Sequence, residues 1–191
     1  ASYFDRSSVR NSLAFFAYRE IGIPAPQTEN TALFLNGIYL GFYTKIEMYS
    51  ADNLREFYNS EDVELFKSQF RAMGRNLPIQ DISEKKIPRD DDYTSLAYLL
   101  IQTMSLSDSE WNTWASENFD VEQTARYLSI HNYFGVGDTA AKNFYIGLHD
   151  GRYILLPWDN EASLGVVRSD YYPVNGNNIL TERLLAPGSP I

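Results

Sequence analysis

Two short dipeptides constrain this chain more than anything else in it. Asn36-Gly37 and Asp150-Gly151 suit the positive φ angles of a tight two-residue turn, and each sits between runs of aromatic and branched residues. Thr31 to Leu35 and Gly41 to Glu47 flank the first turn; Asn143 to Leu148 and Arg152 to Pro157 flank the second. Two β-hairpins are therefore expected, about a hundred residues apart, and what lies between them reads mainly as helix.

Asp5 to Ile21 places Val9, Leu13, Phe16, Ala17 and Ile21 on a helical period, and Gly22 ends it before the extended phrase Ile23-Pro24-Ala25-Pro26. A short helix is expected at Ala51 to Tyr58, while Val63 to Phe66 fits either helix or strand. Ile79 to Asp92 reads as polar and irregular, with Asp90, Asp91 and Asp92 as cap and dipole partners of the helix that follows. That helix, Tyr93 to Thr103, carries Leu96, Leu99 and Leu100 on one face. Ser107 to Glu110 opens the segment of Trp111 and Trp114 with capping residues. Asp120 opens another helix, bearing Val121, Ala125, Leu128 and Phe134 or Tyr133. Hairpin, helices, hairpin in this order predict an α+β fold in one domain spanning the 191 residues.

Charge and composition remove several function classes. Sixteen Lys and Arg against 25 Asp and Glu leave a net charge of −9, which lacks the electrostatic footprint for phosphate backbones or anionic lipid, so nucleic acid is not an expected partner. No apolar run is long enough to span a membrane. With no Cys there is no disulfide or thiolate nucleophile, and two His cannot make a multi-His metal cage.

The chemistry-bearing stretch runs from Ile130 to Asn143, continues through the second hairpin, and ends at Pro157-Trp158-Asp159-Asn160-Glu161. Asp138 and Asn143 are separated by four residues, and Asp159 follows the hairpin. Protein-kinase catalytic loops share this layout: an Asp at the acceptor hydroxyl, an Asn holding metal, and a post-hairpin Asp chelating Mg²⁺. Phosphoryl transfer needs hard oxygen ligands and a carboxylate near the acceptor, and a hairpin returns both of its ends to one place. The competing reading makes Asp138 a turn cap, Asn143 a strand start and Asp159 a helix cap. A third, hydrolytic reading of Asp159 and Glu161 as a carboxylate pair fares poorly, because acids at i and i+2 seldom flank a scissile bond.

Tyr3-Phe4-Asp5 with Arg10 and Leu13-Ala14, Gly22 to Pro26, Leu35-Asn36-Gly37-Ile38-Tyr39-Leu40-Gly41-Phe42-Tyr43 ending in Glu47, Asp138 to Tyr145, and Leu156-Pro157-Trp158-Asp159 together resemble the CotH family. This is the bacterial spore-coat protein H group of atypical kinases, also found on secreted, polysaccharide-associated modules. The resemblance runs from about Tyr3 to Gly165. It implies a kinase-like fold that uses ATP with Mg²⁺ or Mn²⁺ to phosphorylate Ser or Thr of a partner coat or extracellular protein, in the spore coat or outside the cell. By the same resemblance Asp138 is the catalytic Asp, Asn143 and Asp159 bind metal, and Glu161 stands where the family has a second Asp. Glu47 falls at the nucleotide-facing connection after the first hairpin, and Lys67 can reach phosphate. The family's glycine- and basic-rich segment, expected ahead of these residues, is not among the 191, and no G-x-G-x-x-G occurs, so the small lobe reads as incomplete. The alternative is a non-catalytic structural or adhesion module of a coat or extracellular assembly.

Overall fold

The structure is a computed structural model that describes residues 5, 7–68, 78–136, 142–165 and 178–191. In chain order its elements are α1 (Arg10–Glu20), β1 (Thr28–Leu35), β2 (Ile38–Ile46), α2 (Ala51–Tyr58), β3 (Val63–Ser68), α3 (Ile79–Ile82), β4 (Ser83–Ile87), α4 (Thr94–Ser105), α5 (Asp108–Asn118), α6 (Val121–Phe134), β5 (Phe144–His149), β6 (Arg152–Pro157), a 3₁₀ turn (Asn160–Ala162) and α7 (Ile179–Leu184). The α+β expectation holds.

Both hairpins form on the turns that the dipeptides announce. Asn36 and Gly37 take φ of 50° and 79°, and Asp150 and Gly151 take 47° and 73°, the left-handed pairing that matches the twist of the flanking strands. The helical middle needs correction, because β3 and β4 interrupt it and join the second hairpin in a four-stranded antiparallel sheet of order β4-β3-β5-β6. The polar stretch Ser83 to Ile87 forms a strand because its one inward charge is neutralised. Lys85 Nζ lies 2.8 Å from Asp90 and 3.8 Å from Glu64, and donates to the Asp92 carbonyl at 2.6 Å. Of the three acids ahead of α4, Asp92 accepts from the Thr94 N–H as a cap does, and Asp90 serves Lys85 instead.

A second correction concerns α1. Its buried face is Asn11, Ala14, Phe15 and Tyr18, while Val9, Leu13 and Phe16 are about half exposed. The segment is apolar on two sides, so periodicity alone cannot choose which side meets the core. Helix α4 buries Leu96, Leu99 and Leu100 as expected, and α5 buries Trp111 with Ala115, whereas on α6 only Leu128 and Phe134 of the expected face are buried, beside Gln123, Thr124 and Tyr127, while Val121 and Ala125 are only partly covered. Ser107 and Glu110 close a reciprocal capping box at the start of α5. The main core lies between the inner face of the sheet and these helices, around Phe66, Ile146, Leu156, Leu99 and Trp111. The β1–β2 hairpin stands apart as its own two-stranded sheet, with Phe34, Leu35, Ile38 and Tyr39 exposed.

Candidate functional site

The register of the central sheet gathers the candidate residues. Phe144 pairs with Pro157 across β5 and β6, so Asn143, just before β5, and Asp159, two residues beyond β6, emerge at the same end. On the neighbouring strand Lys67 pairs with Tyr145, which brings it to that end as well. The Lys67 ammonium sits 5.3 Å from the centre of the Trp158 ring, a cation–π distance. Trp158 is held in turn by Tyr145, edge-on at 5.7 Å, and by Tyr49 at 6.4 Å. The Tyr49 hydroxyl lies 3.1 Å from the Pro24 carbonyl and 3.0 Å from that of Pro157, and donates to one of them at a time. Burial drives its pKa well above that of an ordinary tyrosine, so it stays a donor.

Asn143 and Asp159 share a backbone peculiarity, φ of 62° and 51°, in the left-handed region that few residues other than Gly, Asn and Asp enter. Asp159 directly precedes the 3₁₀ turn, yet its side chain does not cap it. The carboxylate is thus not accounted for by the capping role that its sequence position offers.

Beside Asp159 and Glu161 opens a cleft of about 240 Å³, bounded by Asp5, Ser8 and Asn11 at the start of α1 and by Thr44 of β2. Asp5 is buried and occupied. It accepts from the Ser7 and Arg10 N–H groups at 3.0 and 2.8 Å and pairs with the Arg10 guanidinium at 2.8 Å. Burial alone would raise its pKa, but the hydrogen bonds from Ser7 and Arg10 and the Arg10 charge outweigh burial and hold it low. Thr44 ties β2 to the same corner by donating to the Ser8 carbonyl at 3.0 Å. Asn11 Oδ1 on the wall of this cleft has no hydrogen-bond partner among the described residues, and the same holds for both carboxamide atoms of Asn160 and for Ser163 Oγ in the segment after Asp159.

The predicted residues divide as follows. Lys67, Asn143 and Asp159 share one end of the sheet, and Glu161 lines the cleft with Asp159. Glu47 borders a different pocket, of about 350 Å³, with Arg19, Met48, Tyr49 and Phe57, and its carboxylate accepts from the Gln27 N–H at 3.1 Å. Asp138 lies outside the described residues. Among the described residues no group of three or more His, Asp or Glu side chains is placed to hold a metal ion. Sequence reasoning missed Asn11 and Asn160. The signal for Asn11 was a polar residue three and four positions before Ala14 and Phe15, legible only to a reader who had already chosen the correct face of α1.

The fold and cleft define an α+β protein in which one end of a buried antiparallel sheet delivers oxygen-bearing side chains next to a helix start. A family model described as CotH kinase protein matches residues 1–186, and the chain belongs to this CotH family. It is also similar to the inner spore coat protein H of Bacillus subtilis (strain 168), 24% identical over 212 residues. That alignment covers 97% of this chain and 56% of the relative, so the chain spans little more than half the length of the curated relative it matches.

Proposed function

We propose that this chain carries the phosphoryl-transfer centre of an ATP- and divalent-cation-dependent protein kinase acting on Ser or Thr of a partner protein in the spore coat. The observation that carries the proposal is the convergence of Asn143 and Asp159 at one end of the β5–β6 hairpin, with Lys67 beside them on β3. Asn143, Asp159 and Glu161 would hold Mg²⁺ or Mn²⁺. Their donors are all hard oxygens, and a small cation of this kind takes one or two carboxylates together with phosphate and water. When bound, the cation supplies charge neutralisation at the phosphate oxygens.

The protein's own residues do the rest. Asp138 orients the acceptor hydroxyl and takes its proton as the acceptor oxygen bonds to the γ-phosphorus. The bond from that phosphorus to the β–γ bridging oxygen breaks, and ADP leaves. Lys67, steadied over Trp158, meets phosphate oxygens as a compact positive charge. Glu47 borders the connection that faces the nucleotide. The test is transfer of label from γ-labelled ATP with Mn²⁺ into a spore-coat protein extract. Asp159→Asn should lose roughly 10²-fold or more of the transfer with an unchanged thermal melt, as removal of a group that acts on developing charge does. Transfer undiminished in that variant removes the assignment.

The exposed apolar surface of the β1–β2 hairpin favours a second reading, a structural module packed into the coat or an extracellular assembly. Calorimetric titration with ATP and Mn²⁺ separates the two, since only the kinase reading predicts heat of binding at millimolar nucleotide.

A further inference from the structure

On the cation reading above, we propose that Asn11 of α1 is a further oxygen ligand to the cation held by Asp159 and Glu161, so that the bound cation ties the helix to the segment after β6. The first ground is the composition of the buried face of α1. Ala14, Phe15 and Tyr18 are there for packing, but Asn11 is 8% exposed and its Oδ1 has no hydrogen-bond partner among the described residues. A buried acceptor left in this state is a standing cost, which an oxygen-seeking ligand at the atom would relieve.

The second ground is where Asn11 sits, on the wall of the cleft that Asp159 and Glu161 also line. On the same wall the Asp5 carboxylate is taken up by Ser7 and Arg10, and the Thr44 hydroxyl donates to the Ser8 carbonyl. Asn11 Oδ1 is the buried carboxamide oxygen that the α1 side brings to the cleft. The third ground is the shortage of acids: no group of three or more carboxylate or imidazole side chains is assembled among the described residues. Carboxamide oxygen is a hard donor suited to Mg²⁺ or Mn²⁺, and can complete a shell to which the described residues bring few acids. Asn160, fully buried and between the two acids in sequence, likewise has both carboxamide atoms without a hydrogen-bond partner among the described residues.

The experiment is titration of Mn²⁺ into the chain, with free Mn²⁺ read by electron paramagnetic resonance and the shift in Tm read in parallel. Asn11→Leu should weaken Mn²⁺ binding about tenfold or more. Without Mn²⁺ its Tm should stay level or rise, because the orphaned oxygen is gone. Asn11→Asp should restore Mn²⁺ binding at neutral pH, with a lower Tm in the absence of the ion and a larger Mn²⁺-induced rise than wild type, since it adds a negative charge beside two others. Wild-type affinity in Asn11→Leu overturns the proposal, as does an Asn11→Asp protein that binds no better than Asn11→Leu. If Asp159→Asn loses Mn²⁺ while Asn11→Leu keeps it, only the role of α1 falls; if the wild-type chain leaves millimolar Mn²⁺ free, the cation reading of the site falls with it.

Discussion

Strand β6 is the outer strand of the central sheet, yet its far edge is not open. The carboxamide of Gln123 on α6 stands where another strand would: its Nε2 donates to the Leu155 carbonyl at 2.6 Å, and the Leu155 N–H donates to its Oε1 at 3.2 Å. Gln123 and Leu155 are both buried, so no water replaces these bonds. Gln123→Leu keeps the volume and removes both bonds, leaving one backbone donor and one acceptor unsatisfied. At about 1–3 kcal/mol for each such group the expected loss is about 2–6 kcal/mol. At about 2–4 °C per kcal/mol for a domain of this size, that corresponds to roughly 4–24 °C in Tm. Urea unfolding followed by tryptophan fluorescence gives the free energy directly, because Trp111 and Trp114 pack against the same layer. Gln123→Glu adds a check of sign. Its carboxylate cannot donate to the Leu155 carbonyl, but the protonated acid can, so the folded protein raises its pKa. The deficit against wild type should therefore shrink as pH falls toward 4 and grow as pH rises through the raised value. A Gln123→Leu protein within about 0.5 kcal/mol of wild type would refute the reasoning, by showing that Leu155 finds other partners.

Burial pushes the His131 imidazole down to about 4, whereas the unfolded chain keeps a value near 6.5. Between these values the unfolded state binds the extra proton, so stability is full above pH 6.5 and falls by on the order of 3 kcal/mol as pH drops to 4. Denaturant midpoints taken across that window should slope in the wild type and run nearly level in His131→Gln; an equal slope in the variant would reassign the effect. In the centre of β5, a Cβ on Gly147 would lie 2.7 Å from Ile154 Cγ1 and 3.4 Å from the Glu64 carbonyl. Gly147→Ala should cost about 1–3 kcal/mol through overpacking, and Ile154→Ala should recover part of that loss in a double-mutant cycle. Strict additivity of the two changes would place the strain elsewhere.

What the sequence made legible were features encoded by neighbouring residues. The hairpins followed from turn dipeptides whose φ requirements are local, and the start of α5 followed from the reciprocal Ser107–Glu110 bonds three residues apart. Asn143 and Asp159 were findable as a pair for the same reason, since the hairpin between them fixes their meeting by register. The rest depended on distant contacts. Strand β4 hides a buried lysine that Asp90 and Glu64 make tolerable, and a Ser-Glu-Lys-Lys run gives no hint of this. The buried face of α1 is chosen by Phe134 and Val136 of α6 and its exit, which pack on Ala14. Asn11 could not be suspected until that choice was known.

The left-handed backbone at Asn143 and Asp159 has a further consequence, for what sequence variation at these positions can reveal. Folding by itself already favours Asn, Asp and Gly at both sites, so their retention among related chains carries less information about chemistry than retention at an unconstrained position. The informative events are exchanges within that small set. A chain with Gly at position 159 would keep its shape and lose its carboxylate, and a screen for folded protein would pass it without comment. Counting such silent folders against the variants that survive a functional selection would separate, residue by residue, what the backbone demands from what the reaction demands.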